Sequence, residues 1–297
     1  MEMTVSVVVA TYRRDRELYN ALTSLTAQTY PKVEILVVDD NADPVWNGRV
    51  RSVVEQVRQE SAKDIICLVN ETNQGSAESR NIGIRAATGD YITFLDDDDV
   101  YLPEKIEKQL SDMTAGEGDF GLTDLYLYDE AEHMVDRRER TYLTDMTQDA
   151  LVRCHILYHM TGTDTLMFRS DYLRQIGGFP GIDIGDEFYL MLQAILGGGK
   201  CVYSPHCLVK AYIHTGEGGG LSSGQKKIDG ENALHAEKKK YFRYLTKADI
   251  RYVEVRHRAV ISFAQLRMKH YGACVAAMAG AFCISPIQCV KLVLQHQ

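Results

Sequence analysis

Four consecutive aspartates, Asp96, Asp97, Asp98 and Asp99, end the apolar run Tyr91-Ile92-Thr93-Phe94-Leu95. So many carboxylates at one point repel one another unless a cation or solvent compensates. Their hard oxygens suit Mg2+ or Mn2+, which bind through one or two carboxylates together with substrate phosphates. The plain alternative is an exposed acidic turn, and the apolar strand that delivers the acids argues against it. Asp39-Asp40 closes another apolar run. That pair can accept hydrogen bonds from a base or ribose, or it can cap a helix in a solvated turn. Asp186-Glu187 opens an apolar helical stretch (Phe188, Leu190, Met191, Ile195). Acids are favoured there by the helix dipole, and one of them can equally be a general base. His214 stands beside the glycine-rich residues 216–220. A loop histidine is most often simply exposed, whereas near a metal its neutral imidazole serves Mn2+.

These groups need a frame that brings them together. Residues 5–10, 33–38, 65–69 and 91–95 are short apolar runs, and 5–10 has no polar face, the mark of a central parallel strand. Leu18, Leu22 and Leu25 recur at helical spacing, and helical stretches near 47–60 and 75–89 separate the later runs. Strands joined by helical crossovers predict an α/β fold with a doubly wound, mainly parallel sheet. In such sheets ligands sit at the carboxyl ends of the strands, where the acid pairs fall. No G-x-G-x-x-G follows the first strand and no Walker lysine is present, which counts against a dinucleotide site and a P-loop. A helix over 104–113 is expected next, then mixed strands and loops to about 215. The glycine triple at 218–220 is expected to be the most flexible stretch.

Of the 297 residues 45% are hydrophobic and 25% charged, so the chain is globular rather than disordered. Seven cysteines without a C-x-x-C pair indicate neither a disulfide framework nor a thiolate zinc site. No basic stretch precedes the first apolar run, so no secretory signal is expected and the cytoplasm is the default location. The net charge of −8 divides unevenly: residues from 225 onward carry 13 Lys/Arg against 5 Asp/Glu, leaving −16 on the first 224. An acidic body argues against a nucleic-acid partner. A basic tail suits an anionic membrane surface. The tail is expected to be helical from about 231, and residues 271–290 carry no charge. Twenty uncharged residues match a bilayer in length, but this run is rich in Ala, Gly and Cys and broken by Pro286. A buried or interfacial helix is therefore expected, not a spanning one.

The blocks VSVVVATYRR, VEILVVDDN, NQGSAESRNIGIRAATGDYITFLDDDDVYLP, IGGFPGIDIGDEFYLML and HTGEGGGLSS resemble, in order and spacing, the inverting family-2 glycosyltransferases with the GT-A fold, over residues 4–224. The resemblance implies a catalytic domain over 1–224, with a nucleotide-binding half (1–99) and an acceptor half (100–224), followed by a basic helical extension over 225–297. It places Ala10, Thr11 and Tyr12 at the nucleobase and Asp40 on uracil, with Asn73 and Arg80 in the wall of the nucleotide pocket. Asp96-Asp97-Asp98 falls on the D-x-D element, with Asp97 on the ribose and Asp98 on an Mn2+ or Mg2+ ion at the diphosphate; Asp99 is an additional acid without an assigned role. Glu187 falls at the catalytic base. The family usually has Glu-Asp where this chain has Asp186-Glu187, so Asp186 is the second candidate. His214 matches a histidine that closes over the metal and diphosphate.

The implied reaction moves a hexosyl or hexosaminyl group from a nucleotide sugar, UDP-linked by resemblance, to a hydroxyl of a glycan or lipid-linked acceptor in cell-surface polysaccharide assembly. An attachment to the inner face of the plasma membrane would fit such an acceptor. Three rivals differ in chemistry. A haloacid-type phosphatase would use Asp96 as a phosphoryl nucleophile in D-x-D-x-V, although that motif normally follows the first strand. A sugar nucleotidyltransferase would need a glycine-rich basic loop after the first strand. An inactive sugar-nucleotide-binding module would be expected to lose Asp98 or the acid at 187, and both are present.

Overall fold

The computed structural model describes residues 3–61, 63–160, 162–182, 185–213 and 224–295, with side chains to residue 290. The described residues form two compact units: one runs to Met146 and resumes from Met160 to Ile213, and the other comprises 147–159 and 224–295. His214 and the glycine triple lie outside the described residues.

The first unit opens with β1 (Val5–Thr11), α1 (Arg16–Thr26), β2 (Val33–Asp39), α2 (Pro44–Ser61), β3 (Ile65–Val69), α3 (Ser76–Ala86) and β4 (Tyr91–Phe94). β1 lies between β2 and β4, parallel to both, with Val5 level with Val33 and Tyr91; β3 adds on parallel to β2. Val5, Val7, Val8 and Val9 are at most 1% exposed, because helices cover both faces of this strand. Val5, Val7 and Val9 share a core with Leu18, Leu22 and Leu25 of α1 and Val50, Val54 and Val57 of α2. Each such aliphatic side chain contributes roughly 1.5–3 kcal/mol on burial. On the opposite face α3 lies so close to β1 that a Cβ on Gly83 would stand 2.3 Å from Val8 Cγ1. That approach sets Arg80, one turn earlier on α3, at the level of the strand ends.

The order then continues with β5 (Val100–Tyr101), α4 (Lys105–Ala115), β6 (Phe120–Asp129), β7 (Met134–Arg138), α5 (Gln148–Tyr158), β8 (Leu166–Arg169), α6 (Ser170–Gln175), α7 (Asp186–Leu196) and β9 (Cys201–Ile213). The sheet order is β3-β2-β1-β4-β8-β6-β9-β5, with β7 paired to β6. β8 is antiparallel to β4 and to β6, β9 is parallel to β6, and β5 is antiparallel to β9. The parallel half thus carries the crossover helices and the mixed half follows β4.

The second unit consists of α5 with α8 (Gly224–Lys239), α9 (Lys247–Arg267), α10 (Tyr271–Ile284) and α11 (Pro286–Gln295). α9 begins in a capping box, Asp249 N donating to Thr246 Oγ1 at 3.2 Å and Thr246 N to Asp249 Oδ2 at 3.0 Å. The same Asp249 receives Arg153 of α5 through two bonds of 2.8 and 2.9 Å. The uncharged stretch is divided at Ser285, where the backbone is extended ahead of Pro286, between α10 of 14 residues and the first half of α11, which runs on past Lys291. Among the described residues no helix is long and apolar enough to cross a membrane.

Candidate active site

Because β1, β2 and β4 run parallel, Thr11-Tyr12, Asp39-Asp40 and the four aspartates emerge at one edge of the sheet. Asp97, 4% exposed, is held from β1. Its carboxylate accepts Thr11 Oγ1 at 2.7 Å, Tyr12 N at 3.2 Å and Arg14 Nη1 at 2.5 Å. Burial pushes its pKa up to about 6 even though Arg14 opposes the shift. The other Arg14 nitrogen, Nη2, lies 2.7 Å from Asp98 Oδ2. Tyr12 keeps 46% of its surface exposed, with the Arg13 guanidinium 5.2 Å from its ring centre.

Arg80 joins this cluster to the start of α7. Its Nη2 lies 2.6 Å from Asp96 Oδ1 and its Nη1 2.9 Å from Asp186 Oδ2. Burial works against the guanidinium charge, but Asp96 and Asp186 outweigh it and hold the pKa above the ordinary arginine value. Asp186 is buried, and burial pushes it up to about 7 although Arg80 pulls the other way. Gly185, at φ 79° and preceding Asp186, supplies the left-handed turn that lets α7 start here. Glu187 is less buried than Asp186, and its backbone N–H donates to Asp186 Oδ1 at 3.0 Å.

A further carboxyl group, Asp164, carries no signal in the sequence. It is 3% exposed and accepts Asp96 N at 2.6 Å. Oxygens of Asp96, Asp99 and Asp164 lie within 4.8 Å of one another, and among the described residues they are the group placed to hold a metal ion. Burial, then repulsion from Asp96, pushes Asp164 up to about 7, and burial with repulsion from Asp164 raises Asp99. Asp99 is also fixed by Tyr212 N, which donates to its Oδ1 at 2.8 Å. Below them lies Lys105, fully buried, with Nζ donating at 2.8 Å to both Thr93 Oγ1 and Tyr101 Oη. Burial lowers the Lys105 pKa well below the ordinary lysine value. Tyr101 Oη in turn donates to the Asp164 carbonyl at 3.1 Å, so this network pins the backbone that carries Asp164. An all-oxygen, all-carboxylate donor set fits a hard divalent cation, whose charge would relieve the repulsion.

The sequence-derived residues therefore separate into two groups. Thr11, Tyr12, Asp97 and Asp98 gather around Arg14, Asp96 and Asp186 around Arg80, and the two sets meet where Asp96 joins Asp97 in the chain, with Ala10 just behind on β1 and Glu187 adjacent. Asp40 and Asn73 are bound differently. The Asp40 carboxylate accepts Asn70 Nδ2 at 2.8 Å, Gln74 N at 2.7 Å and Gly75 N at 2.9 Å, and Asn73 Nδ2 donates to the Asp40 carbonyl at 2.9 Å. These bonds fix the loop that enters α3 and leave about one of the carboxylate's four acceptor positions open.

Residues 6–177 match the glycosyl transferase family 2 domain, and the chain belongs to that family. An uncharacterized glycosyltransferase of Haemophilus influenzae is 33% identical over 191 residues, which is 64% of this chain and 56% of that protein. The Escherichia coli protein WfaP, a UDP-Glc:alpha-D-GlcNAc-diphosphoundecaprenol beta-1,3-glucosyltransferase, is 31% identical over 124 residues, 41% of this chain and 46% of WfaP. The matches thus span about half the length of these relatives. The mannosyltransferase PcManGT of Pyrobaculum calidifontis, solved with GDP-Man and Mn2+, superposes with a TM-score of 0.65 at 15% identity over all of this chain and 80% of that one. The fold is accordingly the mixed α/β architecture of GT-A glycosyltransferases.

Proposed function

We propose that the protein transfers a sugar, with inversion, from a nucleoside-diphosphate donor to a hydroxyl of a glycan or lipid-linked acceptor. The observation that carries this reading is the Arg80 bridge. It ties the strand-end aspartates, suited to a nucleotide and cation, to the acid pair that opens α7, at 2.6 and 2.9 Å. A haloacid-type phosphatase is not favoured, because Asp96, its nucleophile, is paired with Arg80.

In this reading the Tyr12 ring stacks on the base and Asp97, oriented by Thr11 and Arg14, accepts the ribose hydroxyls. Asp98 is the proposed ligand of an Mn2+ or Mg2+ ion at the diphosphate, with Asp96, Asp99 and Asp164 as the carboxylate group beside it. A bound divalent cation supplies Lewis-acid stabilisation of the departing nucleoside diphosphate. Glu187 takes the proton from the acceptor hydroxyl as that oxygen attacks the anomeric carbon on the face opposite the leaving group. Asp186, engaged by Arg80, positions the start of α7. The relative WfaP supports a UDP donor and a diphosphate-linked lipid acceptor.

A location at an anionic membrane surface is proposed for the same enzyme. α10 and α11 expose Tyr271 (64%), Val275 (67%), Phe282 (52%), Ile287 (72%) and Val290 (51%) with no charge among them. Exposed basic residues, among them Lys239, Lys240, Arg251, Arg258 and Arg267, belong to the same unit.

The test of the base is a pair of variants. Glu187→Gln is expected to keep donor affinity and lose transfer by at least ~10²-fold. A dead Asp186→Asn variant beside an active Glu187→Gln would move the role to Asp186.

A further inference from the structure

The loop that leaves β1 carries a strained residue. Arg13 stands at φ 53°, in the left-handed region that residues with a long side chain rarely adopt. Such a backbone persists only where its surroundings hold it, and it concentrates at functional sites. The Arg13 side chain is exposed, so no core packing holds the turn. The hold comes from the end of β2. Arg13 N donates to Asn41 Oδ1 at 2.7 Å. Asn41, 6% exposed, is fixed in its turn: its backbone N and its Nδ2 both donate to Asp39 Oδ1, at 3.0 and 2.7 Å. Together these bonds set which way the amide faces. A reversed Asn41 would turn its oxygen to the Asp39 carboxylate and its nitrogen to the Arg13 N–H.

Asp39 has no exposed surface, so it cannot touch a nucleotide. A buried carboxylate is costly unless hydrogen bonds satisfy it, and two of the bonds that satisfy Asp39 come from Asn41. The two acids that close β2 therefore work in different directions. Asp40 fixes the loop that enters α3, through Gln74 N and Gly75 N. Asp39 fixes the loop that leaves β1, through Asn41. On either side of the Arg13 turn lie groups of the candidate site. Tyr12 N and Arg14 Nη1, from the residues just before and just after it, both donate to Asp97, at 3.2 and 2.5 Å. The left-handed turn brings both back to one carboxylate, and an ordinary φ at Arg13 would swing Arg14 away from Tyr12.

We propose that Asp39 and Asn41 are positioning residues for the nucleoside of the donor. Asp39 orients Asn41, Asn41 holds the left-handed turn at Arg13, and the turn sets the Tyr12 ring and the Arg14-Asp97 pair in the geometry that receives base and ribose. This rests on the reading above, in which Tyr12 meets the base and Asp97 the ribose hydroxyls.

The test is calorimetry on the full chain with UDP and with GDP in the presence of Mn2+, continued with whichever the wild type binds more tightly. Asn41→Ala is expected to bind that nucleotide at least about tenfold more weakly, with an unchanged far-UV spectrum. Adding Arg13→Asn to that variant should recover most of the loss, because Asn tolerates the left-handed backbone better than Arg does. If Asn41 served only to satisfy the buried Asp39, a change at the exposed Arg13 would rescue nothing. Arg13→Gly and Arg13→Val form a second pair that leaves the buried residues untouched, should Asn41→Ala misfold. Both lose the guanidinium, but Gly keeps the turn at no steric cost and the β-branched Val resists it. Arg13→Gly should therefore bind at least about tenfold more tightly than Arg13→Val. Equal binding by that pair, undiminished binding by Asn41→Ala, or no recovery in the double variant would overturn the proposal. A wild type that binds neither nucleotide would instead overturn the nucleotide reading itself, and this proposal with it.

Discussion

Replacing Asp164 by Asn should stabilise the protein at alkaline pH and leave it unchanged in acid. Asn keeps an oxygen for the 2.6 Å bond from Asp96 N but removes the charge that Asp164 would carry beside Asp96 and Asp99. The Asp164 pKa stands at about 7 against an ordinary 3.8. At ~1.4 kcal/mol per pH unit that difference sets a ceiling of about 4 kcal/mol. Asp99 shares the same repulsion, which reduces the expected effect to roughly 2 kcal/mol. The sign follows from linkage. A carboxyl whose folded pKa is raised contributes stability that is fully present below its unfolded value and is lost as pH rises through about 7. Urea unfolding in metal-free buffer should therefore find the variant more stable than the wild type near pH ~8, and the two equal near pH ~4. Asp97 and Asp186, also raised, titrate in both proteins and cancel in the difference. A variant less stable than wild type at alkaline pH, or a difference independent of pH, would refute the reasoning. Mn2+ should stabilise the wild type more than the variant, because the lost carboxylate belongs to the cation-binding group.

Gly83→Ala should destabilise by about 1–3 kcal/mol in urea unfolding, since its Cβ would meet Val8 Cγ1 at 2.3 Å and overpacking outweighs the gain in helix propensity; an equally stable variant would show that α3 shifts freely. Donor affinity should fall with it, because Arg80 rides on the same helix. Phe282→Asp combined with Ile287→Asp, at positions 52% and 72% exposed, should leave stability unchanged and reduce co-sedimentation with anionic vesicles. Equal co-sedimentation of variant and wild type would remove the membrane role and leave α10 and α11 as packing or oligomerisation elements.

The parallel half of the sheet was legible because the runs at 5–10, 33–38 and 65–69 are dominated by apolar residues, as expected of β1 and β2 in the buried centre of the sheet; β3 at its edge is equally apolar although Ile66 and Val69 are exposed. The mixed half gave no comparable signal. Its strands pair with partners distant in sequence, as β4 does with β8, and β7 is exposed along its whole length. The same long-range pairing hides Asp164. It is a lone acid in Thr163-Asp164-Thr165, and only the return of the chain beside β4 brings it to Asp96 and Asp99. Asp40 was ambiguous for a different reason. Capping a loop and binding a base both require an acceptor, and only the bonds from Gln74 and Gly75 show which groups engage it. Lys238 reads as one of three equivalent surface lysines until the packing of α8 and α9 buries it and leaves Lys239 and Lys240 exposed. The break of the uncharged tail at Pro286 was legible, because proline biases the preceding residue away from helix wherever it stands.

Transfer from a nucleotide sugar is tested most directly by incubating the full chain with a panel of UDP- and GDP-sugars, with and without Mn2+, and measuring nucleoside diphosphate release. Metal-dependent release of UDP from one UDP-sugar, lost in Asp98→Ala, is the expected result. Turnover of none of the donors, release of inorganic phosphate from simple phosphate esters instead, or undiminished activity of Asp98→Ala without metal would contradict it.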